Sequence, residues 1–203
     1  MKRRSCVLLA LFLWGMVLLP ACGKQERSQD IRAEFASGEE AVQAAKQSLL
    51  GAAGFNENFG LPPGEDLTGL YLAPSYPAYE AADGEAAFLG ALYPIENEAG
   101  RLLLHLDWTG DANSQLASSL EACYNLGISA WVYGRDEIYI IGRDGSVLLC
   151  LDAPVFYDSG RDALTEESPL FSSLPEWTPL FAERVPIPIT PEETAEAESQ
   201  AGA

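Results

Sequence analysis

Apolar side chains recur every three or four positions between residues 38 and 53, a spacing that places them on one face of an α-helix. These positions are Val42, Ala45, Leu49 and Ala52. Ser37 and Glu40 stand at the start in the arrangement of a capping box, in which the serine oxygen accepts from an early helix amide and the glutamate bonds back to the main chain. The pattern therefore predicts a first helix from about Gly38 to Ala53.

Three segments with the composition of β-strands follow this helix, at Leu67 to Glu80, Ala86 to Ile95 and Arg101 to Trp108. Pro74 and Pro77 interrupt the first segment. Because proline cannot donate to a β-ladder, we expect this strand to lie at an edge or to bend. Residues 96–100 separate the other two segments and end in glycine, which predicts a hairpin turn.

A second helix is predicted to begin at Asp111 or Asn113 and to end at Leu126, since either polar residue can cap a helix and Gly127 favours its termination. Three further strands are predicted after it, at Ile128–Tyr133, Glu137–Ile141 and Ser146–Leu151. The chain is thus predicted to be an α+β protein with the element order α-βββ-α-βββ, in which two helices cover one face of an antiparallel sheet.

The pattern changes after residue 152, where prolines alternate with aromatic side chains. Residues 153–191 are too aromatic for an ordinary disordered segment, and we expect them to lie across the sheet or its edge as a C-terminal arm. Residues 192–203 are small and acidic and are predicted to form a disordered tail. The folded part is accordingly predicted to be a single α+β domain over residues 37–191.

The first 22 residues follow the three-part plan of a secretory signal peptide, beginning with the basic residues Lys2, Arg3 and Arg4. The apolar run from Val7 to Leu19 has 13 residues, fewer than the ~20 that a membrane-spanning helix needs. The stretch ends in Leu19-Pro20-Ala21-Cys22, which resembles the lipobox of bacterial lipoproteins. No motif of this kind indicates the family of the folded domain.

The resemblance implies that the signal peptide, residues 1–21, is removed and that Cys22 becomes a diacylglyceryl cysteine carrying acyl chains such as palmitate. Pro20 departs from the family's pattern, whose middle position more often holds Ser, Ala, Thr or Val. Acyl chains hold a protein on a membrane without spanning it. The expected product is lipid-anchored on the extracytoplasmic face of the cell membrane, with residues 22–36 as a flexible tether.

Acidic side chains outnumber basic ones by 30 to 12, which gives a formal net charge of −18. Removal of the signal peptide takes away three basic residues and no acidic one, so the mature chain is expected to be more acidic still. This charge argues against nucleic acid as a partner, because the phosphates would be repelled. It also disfavours adhesion to anionic lipid head groups, so membrane attachment is predicted to depend on the acyl chains.

Cys123 and Cys150 are the cysteines that follow the predicted lipidation site. Export permits a disulfide between them. Alternatively, Cys123 is a small buried hydrophobe, because it lies on the apolar stripe of the second predicted helix. The sequence does not supply the Cα separation that a disulfide requires, and both alternatives stay open.

His105 is the only histidine and precedes Asp107 by two positions in a predicted strand, so both belong to one face. Such a pair could supply the acid and base of an envelope hydrolase. No nucleophile motif accompanies it, and we favour the interpretation of two solvated residues on a polar strand face. One histidine without a close cysteine pair also disfavours zinc, and no metal, cofactor or catalytic residue is predicted.

Aromatic residues are concentrated in the predicted sheet, where Trp131, Tyr133 and Tyr139 could form a surface that binds an envelope protein, a peptide or a glycan. In the alternative, the aromatic C-terminal arm covers such a surface as a second small core. We therefore predict a non-enzymatic binding or interaction module of the cell envelope. The alternatives are an envelope hydrolase that uses His105 and Asp107, and a structural spacer.

Overall fold

The computed structural model describes residues 34–53, 66–110, 112–113, 117–152 and 160–201. The predicted signal peptide, Cys22 and the tether up to residue 33 lie outside the described residues. The helices are α1 (Gly38–Ala53), α2 (Ala117–Leu126) and α3 (Pro191–Ala201), with 3-10 turns η1 (Leu67–Gly69) and η2 (Pro169–Ser173). The strands are β1 (Tyr71–Leu72), β2 (Tyr76–Ala82), β3 (Glu85–Glu96), β4 (Leu102–Leu106), β5 (Ala112–Asn113), β6 (Ile128–Tyr133), β7 (Glu137–Gly142), β8 (Val147–Asp152) and β9 (Val185–Pro186).

The protein is a mixed α+β protein whose described strands form one nine-stranded sheet. The main path through the sheet is β5-β4-β3-β2-β6-β7-β8, and β1 pairs with β3 and β9. Neighbouring strands are antiparallel except for β2 and β6, which are parallel. The predicted order α-βββ-α-βββ is not confirmed in that form, because the first predicted strand is divided and β5, β9 and α3 are added.

Pro74 lies at the point where the first predicted strand divides into β1 and β2. Between the two pieces the Ala73 N–H still donates to the Pro94 carbonyl at 2.8 Å, so both pieces follow the same edge of β3. The interruption predicted in this strand is confirmed at Pro74, whereas Pro77 lies inside β2 and pairs with Ala91. β2 is nevertheless a central strand, because β6 pairs with its other side.

Alternating side chains of β3 separate two cores. Tyr93 and Ile95 belong to a buried cluster that includes α1, η1 and β4, here called the α1 core. Leu92 belongs to a cluster that includes α2, β6 and β7, here called the α2 core. Since successive residues of a strand point to opposite faces, α1 and α2 pack on opposite faces of β3. The predicted placement of both helices on one face is therefore not confirmed.

A third buried cluster, here called the arm core, contains Tyr79, Ala81, Ala130, Val132, Tyr139, Ile141 and Phe171. Along β2 and β7 its members alternate with members of the α2 core, so the two cores lie on opposite faces of these strands. Phe171 belongs to η2 and brings the C-terminal part of the chain onto this face.

The start of α1 confirms the predicted capping box. The Glu40 N–H donates to Ser37 Oγ at 3.2 Å, and the Glu40 carboxylate accepts from the Ala36 N–H at 2.7 Å. The helix spans the predicted residues, and its fully buried face consists of Ala41, Ala45 and Leu49. Local sequence signals thus fix both the position and the orientation of this helix.

Residues 192–201 of the predicted disordered tail instead belong to α3, and for them that prediction is wrong. Residues 202–203 lie outside the described residues. Glu193 N–H donates to Thr190 Oγ1 at 3.3 Å, and Glu193 Oε2 accepts from the Thr190 N–H at 2.9 Å, which completes a second capping box. Pro191 occupies the first helical position, where its missing N–H costs no hydrogen bond. Lys46 of α1 lies 2.7 Å from the Glu193 carboxylate and donates to the Pro188 carbonyl at 2.7 Å. These contacts hold α3 against α1.

The longest described helix is α1, with 16 residues. Within the ranges that the structure describes, no helix has the length and the apolar content that crossing a membrane requires.

Candidate functional site

A cleft with a volume of about 910 Å³ lies where residues of the three cores come together. Its walls come from the segment between β1 and β2, the end of α2, the start of β6, the turn between β7 and β8, and residues 171–179. The volume falls within the range of about 300–1,000 Å³ that is typical of ligand pockets.

The cleft occupies a gap between β2 and β6. Parallel pairing of these two strands begins at Ala78 and Trp131. Before that point residues 74–76 follow β3, whereas residues 128–130 stay with β7. Both stretches line the cleft. The gap therefore exposes the main-chain edges of two strands that have separated.

Two tyrosine side chains form the inner wall of the cleft. The Tyr76 hydroxyl is hydrogen-bonded to His105 Nε2, and Tyr76 itself is 5% exposed. The Tyr124 hydroxyl donates to the carboxylate of Glu96, a residue that is 7% exposed. Each of these hydroxyls is thus hydrogen-bonded to a buried titratable side chain that does not line the cleft.

Burial moves the pKa values of these groups away from neutrality. Desolvation raises the pKa of Tyr76 well above its ordinary value. Desolvation also raises the pKa of Tyr124, and the hydrogen bond to Glu96 raises it further. For His105, burial lowers the pKa to about 3. At neutral pH the tyrosines therefore stay protonated and the histidine stays neutral.

Trp177 forms the opposite wall. Its indole N–H donates to the Ser75 carbonyl at 3.0 Å, and its ring stacks on Phe88 with the ring centroids 5.3 Å apart. Further along the same segment, the Arg184 guanidinium lies 3.7 Å from the Glu96 carboxylate. These contacts fix the C-terminal segment across the cleft, because they attach it to β3 and to the chain just before β2.

Charged side chains lie at the rim of the cleft. Arg143, Asp144 and Glu176 all line it and are exposed. Hydrogen bonds from the Ser146 hydroxyl and amide, at 2.6 and 3.0 Å, lower the pKa of the Asp144 carboxyl, which is therefore charged at neutral pH. Two carboxyl side chains thus stand beside one guanidinium at the rim.

The three aromatic residues predicted to form a binding surface do not share one. Trp131 and Tyr133 pack with the α2 core, whereas Tyr139, which pairs with Val132, belongs to the arm core. Trp131 and Tyr139 are only 4% and 3% exposed. Phe171 covers Tyr139, with their ring centroids 5.1 Å apart. The prediction of a common aromatic surface is therefore wrong, because different elements cover the two faces.

The predicted solvated position of His105 is also wrong, since the side chain is 4% exposed and packs against the rings of Tyr76 and Trp131. Asp107 lies just beyond the end of β4, where its Oδ1 accepts from the Thr109 hydroxyl at 2.6 Å and from the Thr109 amide at 2.8 Å. Neither His105 nor Asp107 lines the cleft. The structure thus gives the suggested acid–base pair no access to a ligand bound there.

Cys123 and Cys150 are free thiols, so the possible disulfide is not formed. Cys123 is buried in the α2 core, with its sulfur 3.8 Å from the Leu148 carbonyl oxygen. Cys150 packs against the arm core on the other face of the sheet. Burial raises the pKa of both thiols. For Cys123 the alternative of a small buried hydrophobe describes the structure.

Across the part of the chain that the structure describes, no group of three or more His, Cys, Asp or Glu side chains is placed to hold a metal ion. Comparison with protein-family models, curated proteins and solved structures finds no match to this chain.

Sequence analysis does not single out Tyr124, Arg143 or Trp177 as site residues. Their proximity depends on pairings between distant parts of the chain, which leave no local pattern. One local signal does bear on the site: Pro74 and Pro77 predict an edge or a bend in this strand, and Pro74 lines the cleft.

Proposed function

We propose that this chain is a bacterial lipoprotein, held on the extracytoplasmic face of the cell membrane through acyl chains on Cys22, and that its domain binds a component of the cell envelope in the cleft. The sequence Leu19-Pro20-Ala21-Cys22 supports the anchor. The cleft supports a binding role, because its volume is that of a ligand pocket.

One observation favours binding over the hydrolase alternative. The suggested acid and base, His105 and Asp107, do not line the cleft. His105 is buried, its Nε2 is hydrogen-bonded to the Tyr76 hydroxyl, and burial lowers its pKa to about 3. It therefore has neither the access nor the basicity that a general base acting on a bound ligand requires.

The anchor is tested by the intact mass of the protein recovered from bacterial membranes, compared with a Cys22→Ala variant. We expect a wild-type species that begins at Cys22 and carries acyl chains, and we expect the variant to lack them. Wild-type protein that keeps residues 1–21 would overturn the lipoprotein assignment.

Binding in the cleft is tested in cells with a photo-crosslinking amino acid at Asn125, which lines the cleft. The matched control carries it at Leu126, an adjacent residue of α2 that is 71% exposed and does not line the cleft. We expect a discrete adduct from position 125 and none from position 126. Absence of an adduct at 125, or the same adduct at both positions, would contradict binding in the cleft and favour a structural spacer.

A further inference from the structure

One edge of β6 has no strand partner at the cleft. β6 pairs with β7 through Ile128 and Ala130, with a register shift at Ser129, and it pairs with β2 only from Trp131 onward. Residues 128–130 therefore have a strand partner on one side. The Ser129 hydroxyl donates to the carbonyls of Ile141 and Gly142, at 3.1 and 2.8 Å, and holds this part of β6 against β7. The other edge of these residues faces the cleft in a fixed position.

The Ser75 carbonyl lies on the opposite side of the gap, just before β2. It accepts a hydrogen bond from the Trp177 side chain rather than from a strand. An indole N–H thus takes the place that a neighbouring strand would occupy. A main-chain acceptor at this edge of the gap is thus bonded by a donor from outside the sheet.

The groups that line the gap suit a peptide main chain. A main-chain edge presents N–H and C=O groups at strand spacing, about 3.3 Å per residue, and an extended peptide has the matching array. The planar polar side chains on which an oligosaccharide would depend, such as Asn125, Arg143 and Glu176, are exposed at the rim rather than placed on the inner wall. The gap is therefore better matched to a peptide main chain than to a sugar.

The charged residues around the cleft bear on the charge of the ligand. At the rim, Asp144 and Glu176 stand beside a single cation, Arg143. The whole chain has a formal net charge of −18. Both the local and the overall charge favour a cationic ligand and oppose a second copy of this acidic chain.

We propose that the cleft binds an extended cationic peptide segment, which adds as a short strand to the free edge of β6 at residues 128–130. This assignment rests on the proposed binding function and names its ligand class. The peptide main chain pairs with β6, basic side chains meet Asp144 and Glu176, and Trp177 covers the bound segment from the other wall.

The test uses the full mature chain in detergent micelles and an acetylated, amidated octapeptide of alternating Lys and Val. Matched probes are the same peptide N-methylated at every residue, an alternating Glu and Val octapeptide, and a neutral oligosaccharide, chitotetraose. Calorimetry measures affinity, and backbone amide shifts of residues 128–130 report the position of binding. The protein variants are Asn125→Trp, which fills the cleft from α2, and Leu126→Trp as its control.

We expect the Lys/Val peptide to bind and to shift the amides of residues 128–130. Its affinity should fall at least about tenfold on N-methylation, on charge reversal and in Asn125→Trp, which corresponds to about 1.4 kcal/mol or more. Leu126→Trp should leave the affinity for the Lys/Val peptide unchanged. The assignment is overturned if the N-methylated peptide binds equally well, if only the oligosaccharide binds, or if no Lys/Val binding is measurable at about 1 mM.

The two proposals fail in distinguishable ways. An adduct at position 125 in cells together with no peptide binding would leave the binding function standing and remove the peptide as its ligand. Absence of both the adduct and the peptide binding would remove both.

Discussion

At the scale of single residues, Gly90 shows how a missing side chain positions two elements. Trp108, in the turn after β4, lies directly over Gly90 of β3, and a Cβ atom at this position would overlap the indole ring. Trp108 packs with the α2 core. Only glycine permits this contact between the ring and the backbone, and the contact helps to close the α2 core.

Replacing Gly90 with Ala should lower the free energy of unfolding by about 1–3 kcal/mol, because the ring or the strand must move. Gly51→Ala is the control: it lies in α1, is exposed and has no atom within 4 Å of the added Cβ. That substitution should raise the free energy of unfolding by about 0.5–1 kcal/mol. Chemical denaturation measures both, and a Gly90→Ala variant as stable as wild type would contradict the packing described.

His105 makes the stability of the domain dependent on pH. Burial lowers its pKa from 6.5 to about 3, so the unfolded chain takes up the proton before the folded one does. Its contribution to stability is therefore complete above pH 6.5 and is lost as the pH falls from there toward 3, by up to about 1.4 kcal/mol per pH unit. His105→Gln keeps a hydrogen-bonding partner for Tyr76 and does not titrate.

The measurement is the free energy of unfolding of wild type and His105→Gln between pH 7 and pH 4. The carboxyl groups titrate in both proteins, so the difference between the two curves isolates the histidine. We expect wild type to lose stability more steeply than the variant as the pH falls. Parallel curves would mean that His105 is not held neutral by burial.

At the scale of secondary-structure elements, α3 contributes to the fold although its sequence is mostly acidic and small. Ala197 packs against the α1 core, and Glu193 pairs with Lys46. The ion pair is partly exposed, so it contributes little, about 0.2–1 kcal/mol. Most of the stabilisation is therefore expected from packing of the helix and from its capping box at Thr190.

Ending the chain after Thr190 should lower the free energy of unfolding by about 1–2 kcal/mol, because a cap of this kind alone is worth about 1 kcal/mol. The control chain ends after Ala201 and keeps α3 complete. Circular dichroism should also lose the signal of one short helix in the first variant. Equal stability of the two chains would support the original prediction of a disordered tail.

The boundaries predicted correctly are those with a local signal. A capping box starts α1, Gly127 follows the end of α2, and the turn at residues 142–145 joins β7 to β8. The predicted start of α2 at Asp111 or Asn113 is not confirmed, because Ala112–Asn113 pairs with β4 as β5 and α2 begins at Ala117. The prediction for α3 failed because composition was weighed above the capping signal of Thr190 and Glu193. The parallel pairing of β2 with β6, and the pairing of β1 with β9, join distant segments and have no local signal at all.

The side chains around the candidate site also depend on long-range contacts. Trp131 and Val132 lie on opposite faces of β6, as strand alternation requires, but which face is buried depends on the elements that pack there. Phe171 and α2 supply that cover, and neither position follows from periodicity. The cleft depends on long-range pairings, and the local signal near it is the interruption predicted at Pro74, which lines the cleft.

At the scale of the whole molecule, the formal net charge of −18 opposes the compact state through self-repulsion. Raising NaCl from about 0.01 M to about 0.5 M should therefore raise Tm, since the Debye length falls from about 30 Å to below 10 Å. The same increase in NaCl should raise Tm less in a variant with Glu192, Glu196 and Glu198 changed to Gln, because that variant carries three fewer negative charges. Scanning calorimetry measures the difference, and a Tm that is independent of salt in both chains would contradict self-repulsion.

The pairing of β1 with β9 determines when the chain can finish folding. Tyr71 pairs with Pro186, so a strand near the start of the domain waits for residues more than a hundred positions later. Contacts of such high sequence separation slow folding, because a long loop must close before they form. A chain that crosses a membrane with its N-terminus first would complete this sheet only after almost all of it has emerged. In the proposed exported state, the interval before β9 arrives is when the exposed edge of β1 is most open to aggregation or to a chaperone.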